Sequence, residues 1–163
     1  MSITKDFIEA HYTDFFKYAV VMLKNKNDAE DAVQETVFKL LRHSLDIDGD
    51  DGLLRYAFRV LQNECRLIYR SSWYRHFVPE QPENLADREA AGGDSDWDES
   101  IDLLKAVLSL PIKIRSCVYF YYYKNCTIRE TAEITGWKEN TIKSFLQRGR
   151  KLLGKELGDG YKI

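Results

Sequence analysis

Apolar residues in this 163-residue chain recur every three to four positions in two blocks, and an acidic stretch rich in proline and glycine parts them. That pattern restricts the fold more than any other feature, because a 3.6-residue period describes helices with one buried face. In the first block Phe7, Ile8, Phe15, Phe16, Ala19, Val20 and Leu23 fall on one side of a helix of about 20 residues. Asn25–Asn27 breaks it, and Asp28 is placed to cap a second helix. Ala29, Ala32, Val33, Val37, Phe38, Leu40 and Leu41 are that helix's expected buried stripe. The run Asp46–Gly52 (DIDGDDG) reads as a loop. A third helix is predicted from about Leu53 to Tyr74, with Leu54, Ala57, Phe58, Leu61, Cys65 and Ile68 inward.

Residues 77–100 hold Pro79, Pro82, Gly92 and Gly93, with 8 acidic residues and 1 basic one, and they read as a flexible linker. Beyond them a short helix is predicted over Asp102–Leu108, and another from Leu110-Pro111 through Tyr123. Cys117–Tyr123 (CVYFYYY) has strand propensity, but it lies between helical signals and is read as helix. Thr127-Ile128-Arg129-Glu130 is a capping box opening a helix to Thr135. Gly136 turns the chain, and the last helix runs from Glu139 to about Leu157. The expected fold is all-α, with two small helical domains, residues 1–76 and 101–163, joined by the acidic linker 77–100.

There is no 18-residue apolar run and no basic-then-apolar start, so neither membrane insertion nor a secretion signal is expected. Three cysteines (Cys65, Cys117, Cys126) and three histidines (His11, His43, His76) are scattered without metal-ligand spacing, and an odd cysteine count speaks against a disulfide framework. A reduced, cytoplasmic protein without metal or cofactor is expected. No glycine-rich phosphate loop and no Ser/His/Asp or Cys/His constellation is present, so no catalytic residue is assigned.

The net charge of −2 conceals a strong asymmetry. Residues 1–76 carry 11 basic and 12 acidic groups, the linker a net −7, and residues 101–163 carry 12 basic and 6 acidic groups. Within the first block, residues 28–51 hold 8 acids and 2 bases, whereas residues 55–76 hold 5 arginines and one acid, Glu64. Binding to a polyanion depends on such local fields, so the acidic total does not exclude nucleic acid. Any single charge run also reads as a solvated face.

The most specific motif is C-terminal. A short helix (Ile128–Thr135), a glycine turn and a longer basic helix form a helix-turn-helix, whose core Ile134, Trp137, Ile142 and Leu146 are expected to close around the small Ala132. The outer face of the last helix shows Asn140, Thr141, Lys143, Ser144, Gln147, Arg148 and Lys151, preceded by Lys138. Amides and cations of this kind read base edges in a major groove and hold phosphates. An ordinary amphipathic surface helix is the alternative. On the third helix Arg59, Asn63, Arg66 and Arg70 share a face by their spacing, with Tyr69, Trp73 and Tyr74 near its end. Arginines interleaved with aromatics suit unpaired DNA, where cations follow phosphates and rings stack on bases. Tyr69 and Trp73 are equally readable as rim or core residues. The second helix exposes Asp28, Glu30, Asp31, Gln34 and Glu35, which repel phosphate and suit a basic protein surface, or simply favour a helix N-terminus.

Together these runs resemble a known family. DAEDAVQETVFKL (residues 28–40) looks like sigma region 2.2. Asn63-Glu-Cys-Arg, followed by Arg70-Ser-Ser-Trp-Tyr-Arg, resembles region 2.4. Leu108-Ser-Leu-Pro-Ile-Lys-Ile-Arg with residues 127–153 resembles region 4. The whole is similar to bacterial RNA polymerase sigma factors of the extracytoplasmic-function group of the sigma-70 family. The resemblance implies a subunit that directs RNA polymerase core to promoters in transcription initiation. It implies that Asp28, Asp31, Gln34 and Glu35 dock on the clamp helices of the polymerase's largest subunit, and that region 4 meets the flap region. It implies that Arg59, Asn63, Arg66, Arg70 and Trp73 meet the −10 element, beside a pocket formed with Ser44–Gly52. Lys138, Asn140, Thr141, Lys143, Ser144, Gln147, Arg148 and Lys151 would read the −35 duplex. An anti-sigma factor is the further implied partner. A stand-alone helix-turn-helix regulator is the competing class. The sequence departs from the family pattern at Leu67, where an acid is common, at Lys138, where Ser or Thr is common, and at Asn140, where glycine is common.

Overall fold

The computed structural model describes residues 3–42, 49–71 and 97–158. Among them the regular structure is entirely helical, in the order α1 (Lys5–Leu23), α2 (Lys26–Arg42), α3 (Asp50–Ser71), α4 (Trp97–Leu108), α5 (Ile112–Val118), a π-helical turn (Tyr119–Tyr123), α6 (Ile128–Thr135) and α7 (Glu139–Leu157). Proximity divides the chain into two compact units. One is built on residues 1–79 and the other on 80–131 and 138–163, with residues 132–137 grouped with the first.

The first unit is a three-helix bundle in which α1, α2 and α3 each pack on the other two. Thr4 caps α1, its hydroxyl accepting from the Phe7 N–H at 3.2 Å. Lys24 closes the helix in the left-handed region, φ 56°, and returns its N–H to the Val20 carbonyl at 2.8 Å. From Tyr18 to Leu23 every residue of α1 is buried. The end of the helix is therefore enclosed on all sides, more than a one-sided stripe provides. Phe15 and Tyr18 meet Phe58 of α3 edge-on, with ring centroids 5.2 and 6.0 Å apart, the arrangement in which a ring's positive edge faces a negative face.

Three boundaries differ from the sequence expectation. The cap of α2 is Asn25, whose Oδ1 accepts from the Asp28 N–H at 2.9 Å, so Asp28 lies inside the first turn. Asn25 satisfies that orphan donor three residues earlier than an aspartate cap at position 28 would. α3 begins at Asp50, so Asp50–Gly52 belong to the helix: their acids sit in its first turn, where the macrodipole favours them, and Gly49 with φ 83° makes the entry. α4 begins at Trp97, inside the stretch read as linker. The remainder of the linker, Ser44–Asp48 of the loop, and Tyr74 fall outside the described residues.

In the second unit α7 packs on α5 and α4. The buried Arg115 reaches back with Nη2 to the Leu110 carbonyl at 2.8 Å and fastens the turn before α5. Cys117–Tyr123 is helical as expected, but its second half widens: the Lys124 N–H reaches the Tyr119 carbonyl five residues back at 3.1 Å. Such π turns admit an extra residue where α-helical register does not fit the packing. α7 comes close to α5 at Gly149, where an added Cβ would lie 2.9 Å from Val118 Cγ2 and 3.1 Å from Ile114 Cγ2.

Candidate nucleic-acid and polymerase interfaces

The helix-turn-helix is built as its residues dictate. Thr127 Oγ1 accepts from the Glu130 N–H at 3.0 Å, and Glu130 Oε1 accepts from the Thr127 N–H at 3.0 Å, which is the reciprocal capping box. Gly136 turns the chain with φ 80°, a backbone region that glycine enters without strain. α7 starts at Lys138 without a side-chain cap. Ile134, Ile142 and Leu146 are buried as expected, but Trp137 is only half-buried; it lies in the turn between α6, which carries Ile134, and α7, which carries the other two.

Along α7 the side chains of Asn140, Lys143, Ser144, Gln147, Arg148 and Lys151 are all exposed, as is Lys138 before it, while Thr141 is half-buried beside the core residue Ile142. The exposed set follows the i, i+3, i+4 rule and forms one continuous face. Arg150 and the tyrosines of the π turn were not singled out by sequence; Arg150 Nη1 donates to Tyr122 Oη at 2.7 Å.

On α3, Arg59, Asn63 and Arg70 are exposed and Arg66 is half-buried, so the arginine face is present. Leu67 on the same helix is 54% exposed. Trp73 falls outside the described residues. On α2, Glu30, Asp31, Gln34 and Glu35 are exposed. Asp28 is corrected: it is buried at 5% exposure within the first turn of α2, so it is no part of a docking face. Phe38 and Leu41, expected inward, are 50% and 55% exposed. The stripe actually buried is narrower and polar in part. Thr36 replaces them, its hydroxyl donating to the Ala32 carbonyl at 2.7 Å. The Arg42 guanidinium covers the Phe38 ring at 4.0 Å from its centroid.

Two of the cysteines are chemically quiet. Burial pushes the Cys117 thiol up to about 12, and burial, with the nearby Glu64 charge, raises Cys65 as well. None of the three cysteines is in a disulfide. Among the described residues no group of His, Cys, Asp and Glu is placed to hold a metal, and no helix is long and apolar enough to cross a membrane.

A chain of two units whose described residues form only helices as regular structure, with a helix-turn-helix that shows an exposed amide-and-cation face, is by architecture of the helix-turn-helix class. The family models for "Sigma-70 region 2" and "Sigma-70, region 4" match residues 7–74 and 100–153 respectively. The chain belongs to the sigma-70 family of RNA polymerase sigma factors, in its extracytoplasmic-function group. It is 27% identical over 147 residues to RNA polymerase sigma factor SigV of Bacillus subtilis (strain 168), covering 90% of this chain and 86% of that one. It is 26% identical over 149 residues to ECF RNA polymerase sigma factor SigM of Mycobacterium tuberculosis, covering 91% and 74%. The fold matches that of the sigma factor RpoE from Bartonella quintana, solved with the anti-sigma factor NepR, at a TM-score of 0.67 and 21% identity over 97% of this chain and 100% of that one.

Proposed function

We propose that this chain is a promoter-specificity subunit whose two units divide the work of initiation. The observation that carries this reading is that α2 and α3, packed side by side, present faces of opposite charge. Asp31, Gln34 and Glu35 lie exposed on one helix, and Arg59, Asn63 and Arg70, with the half-buried Arg66, on the other. A stand-alone helix-turn-helix regulator needs neither face.

The acidic stripe of α2 docks on a basic protein surface, the clamp helices of the polymerase's largest subunit, while the second unit also meets the flap region. The arginine face of α3, with Trp73, engages the −10 element as it melts. A base held outside the stack costs a few kcal/mol, so cations for the phosphates and rings for the bases are what opening requires. α7 enters the major groove of the −35 duplex with Asn140, Thr141, Lys143, Ser144 and Gln147 toward base edges, and with Lys138, Arg148 and Lys151 toward phosphates. No step here makes or breaks a covalent bond, so the chain has no catalytic activity of its own and acts in the cytoplasm beside the polymerase. By likeness to the sigma factor solved with NepR, an anti-sigma factor is its inhibitory partner.

In vitro transcription with purified core polymerase on a random promoter library tests the whole reading. Specific start sites with enriched −10 and −35 elements are expected only when the chain is added. Footprints of the chain alone on a two-fold symmetric site, unchanged by polymerase, would establish the regulator instead.

A further inference from the structure

Where α2 packs on α3, an ion pair joins the two helices. Lys39 donates from Nζ to Glu64 Oε1, an ion pair between side chains 40% and 8% exposed. On the same two helices Val33, Leu40, Leu61 and Cys65 are buried. A pair with one buried member, here Glu64, is seldom more stabilising than apolar residues of similar size, because the acid must lose water while its part-exposed cation keeps some. Its distinguishing property is direction. Ridges packed into grooves allow a small set of crossing angles between helices, and an N–H···O bond from one helix to the other favours one register among them.

The location gives that register a use. Glu64 lies between Asn63 and Arg66 of the α3 face, and Lys39 is one helical turn from Glu35 of the α2 stripe. Hydrogen bonding to Glu64 raises the Lys39 ammonium above its usual range, and the Glu35 charge adds to the effect, so Lys39 stays a cation answering acids on both sides. Glu64 is also the one acid among the arginines of residues 55–76. Unneutralised, it would repel phosphate at the surface those arginines present.

We propose that Lys39 and Glu64 are positioning residues: their ion pair fixes the rotation of α3 on α2, and so sets the Asn63–Arg66 face against promoter DNA relative to the polymerase-bound stripe of α2. This rests on the function proposed above. It separates promoter opening from every binding step that does not need that relation.

The test compares Lys39→Arg, Lys39→Met and the pair Lys39→Met/Glu64→Leu in the full chain. Each is measured for thermal stability, core polymerase affinity and permanganate reactivity of unpaired thymines on a promoter selected by the wild-type chain. The double variant is expected to keep its melting temperature and core affinity while opening falls by about tenfold, within the usual range of coupling between two sites. Lys39→Arg is expected to restore opening, because it keeps the cation. Opening that stays within about twofold of wild type in the double variant overturns the proposal. So does opening that merely follows melting temperature across the three variants. A wild-type chain that directs no initiation would instead remove the proposed function itself, which distinguishes the two failures.

Discussion

The two units solve different packing problems, and the difference shows in what each is built from. The first has a broad interior of large rings, with Phe15, Tyr18 and Phe58 interlocked edge to face, and it carries two charged faces on adjacent helices. The second is made of shorter helices apart from α7, and its close approaches depend on small residues and capping bonds, with Gly149 against α5 and Thr127 with Glu130 at the start of α6. A unit that offers two opposed surfaces needs a stiff interior to keep their relation constant. A unit that inserts a single helix into a groove needs chiefly a correct turn and a well-seated helix. Volume is therefore the sensitive quantity in the first unit, and backbone approach in the second.

The sharpest way to break that comparison is Phe15→Ala. Phe15 is fully buried, so truncation leaves a cavity and is expected to lower stability by about 3–5 kcal/mol in denaturant titration. Binding of the full chain to −35 duplex is expected to persist under conditions where the first unit's transition has begun. Loss of both together would show one cooperative body. Next in size is Gly149→Leu. The space at that position is already filled by Val118 and Ile114 methyl groups, so overpacking is expected to cost about 1–3 kcal/mol. Unaltered stability there would mean that α5 and α7 separate easily, contrary to the account above.

Smaller effects sharpen the contrast between the proposed DNA faces. Arg148→Ala with Lys151→Ala should weaken duplex binding and flatten its log–log salt dependence by up to about 0.9 per lost phosphate contact. A slope equal to wild type, measured by fluorescence anisotropy across a salt series, would move the DNA face elsewhere. Asp31→Lys should leave that duplex affinity untouched and weaken core polymerase binding; unchanged core affinity would remove α2 from the docking surface. The smallest change is Lys138→Ser. It supplies the missing side-chain cap of α7 and is expected to raise stability by up to about 1 kcal/mol, while removing one phosphate-seeking cation. A helix already saturated by other caps would show no gain.

Most helix positions were legible in the sequence because one-sided burial leaves a 3.6-residue signature, and the capping box and Gly136 were legible because their chemistry is local. The failures have the same cause in reverse. Asp28 was read as a cap because its residue type suits one, yet Asn25, equally suited and three residues earlier, takes the role. Phe38 and Leu41 were read as core because they are apolar, yet α2 leaves them 50% and 55% exposed. Glu64 stood out as the lone acid in a basic run, but its partner is 25 residues away.

The amino-acid order by itself determined the helical class, the placing of the helix-turn-helix and the sign of charge along each segment, since these follow from periodicity, turn chemistry and composition within a few residues. Tertiary structure alone decided which of the periodic residues are enclosed, which glycine marks a close approach, and which acid finds its cation. Those are properties of distance in space, and contacts between helices join residues that no local pattern relates.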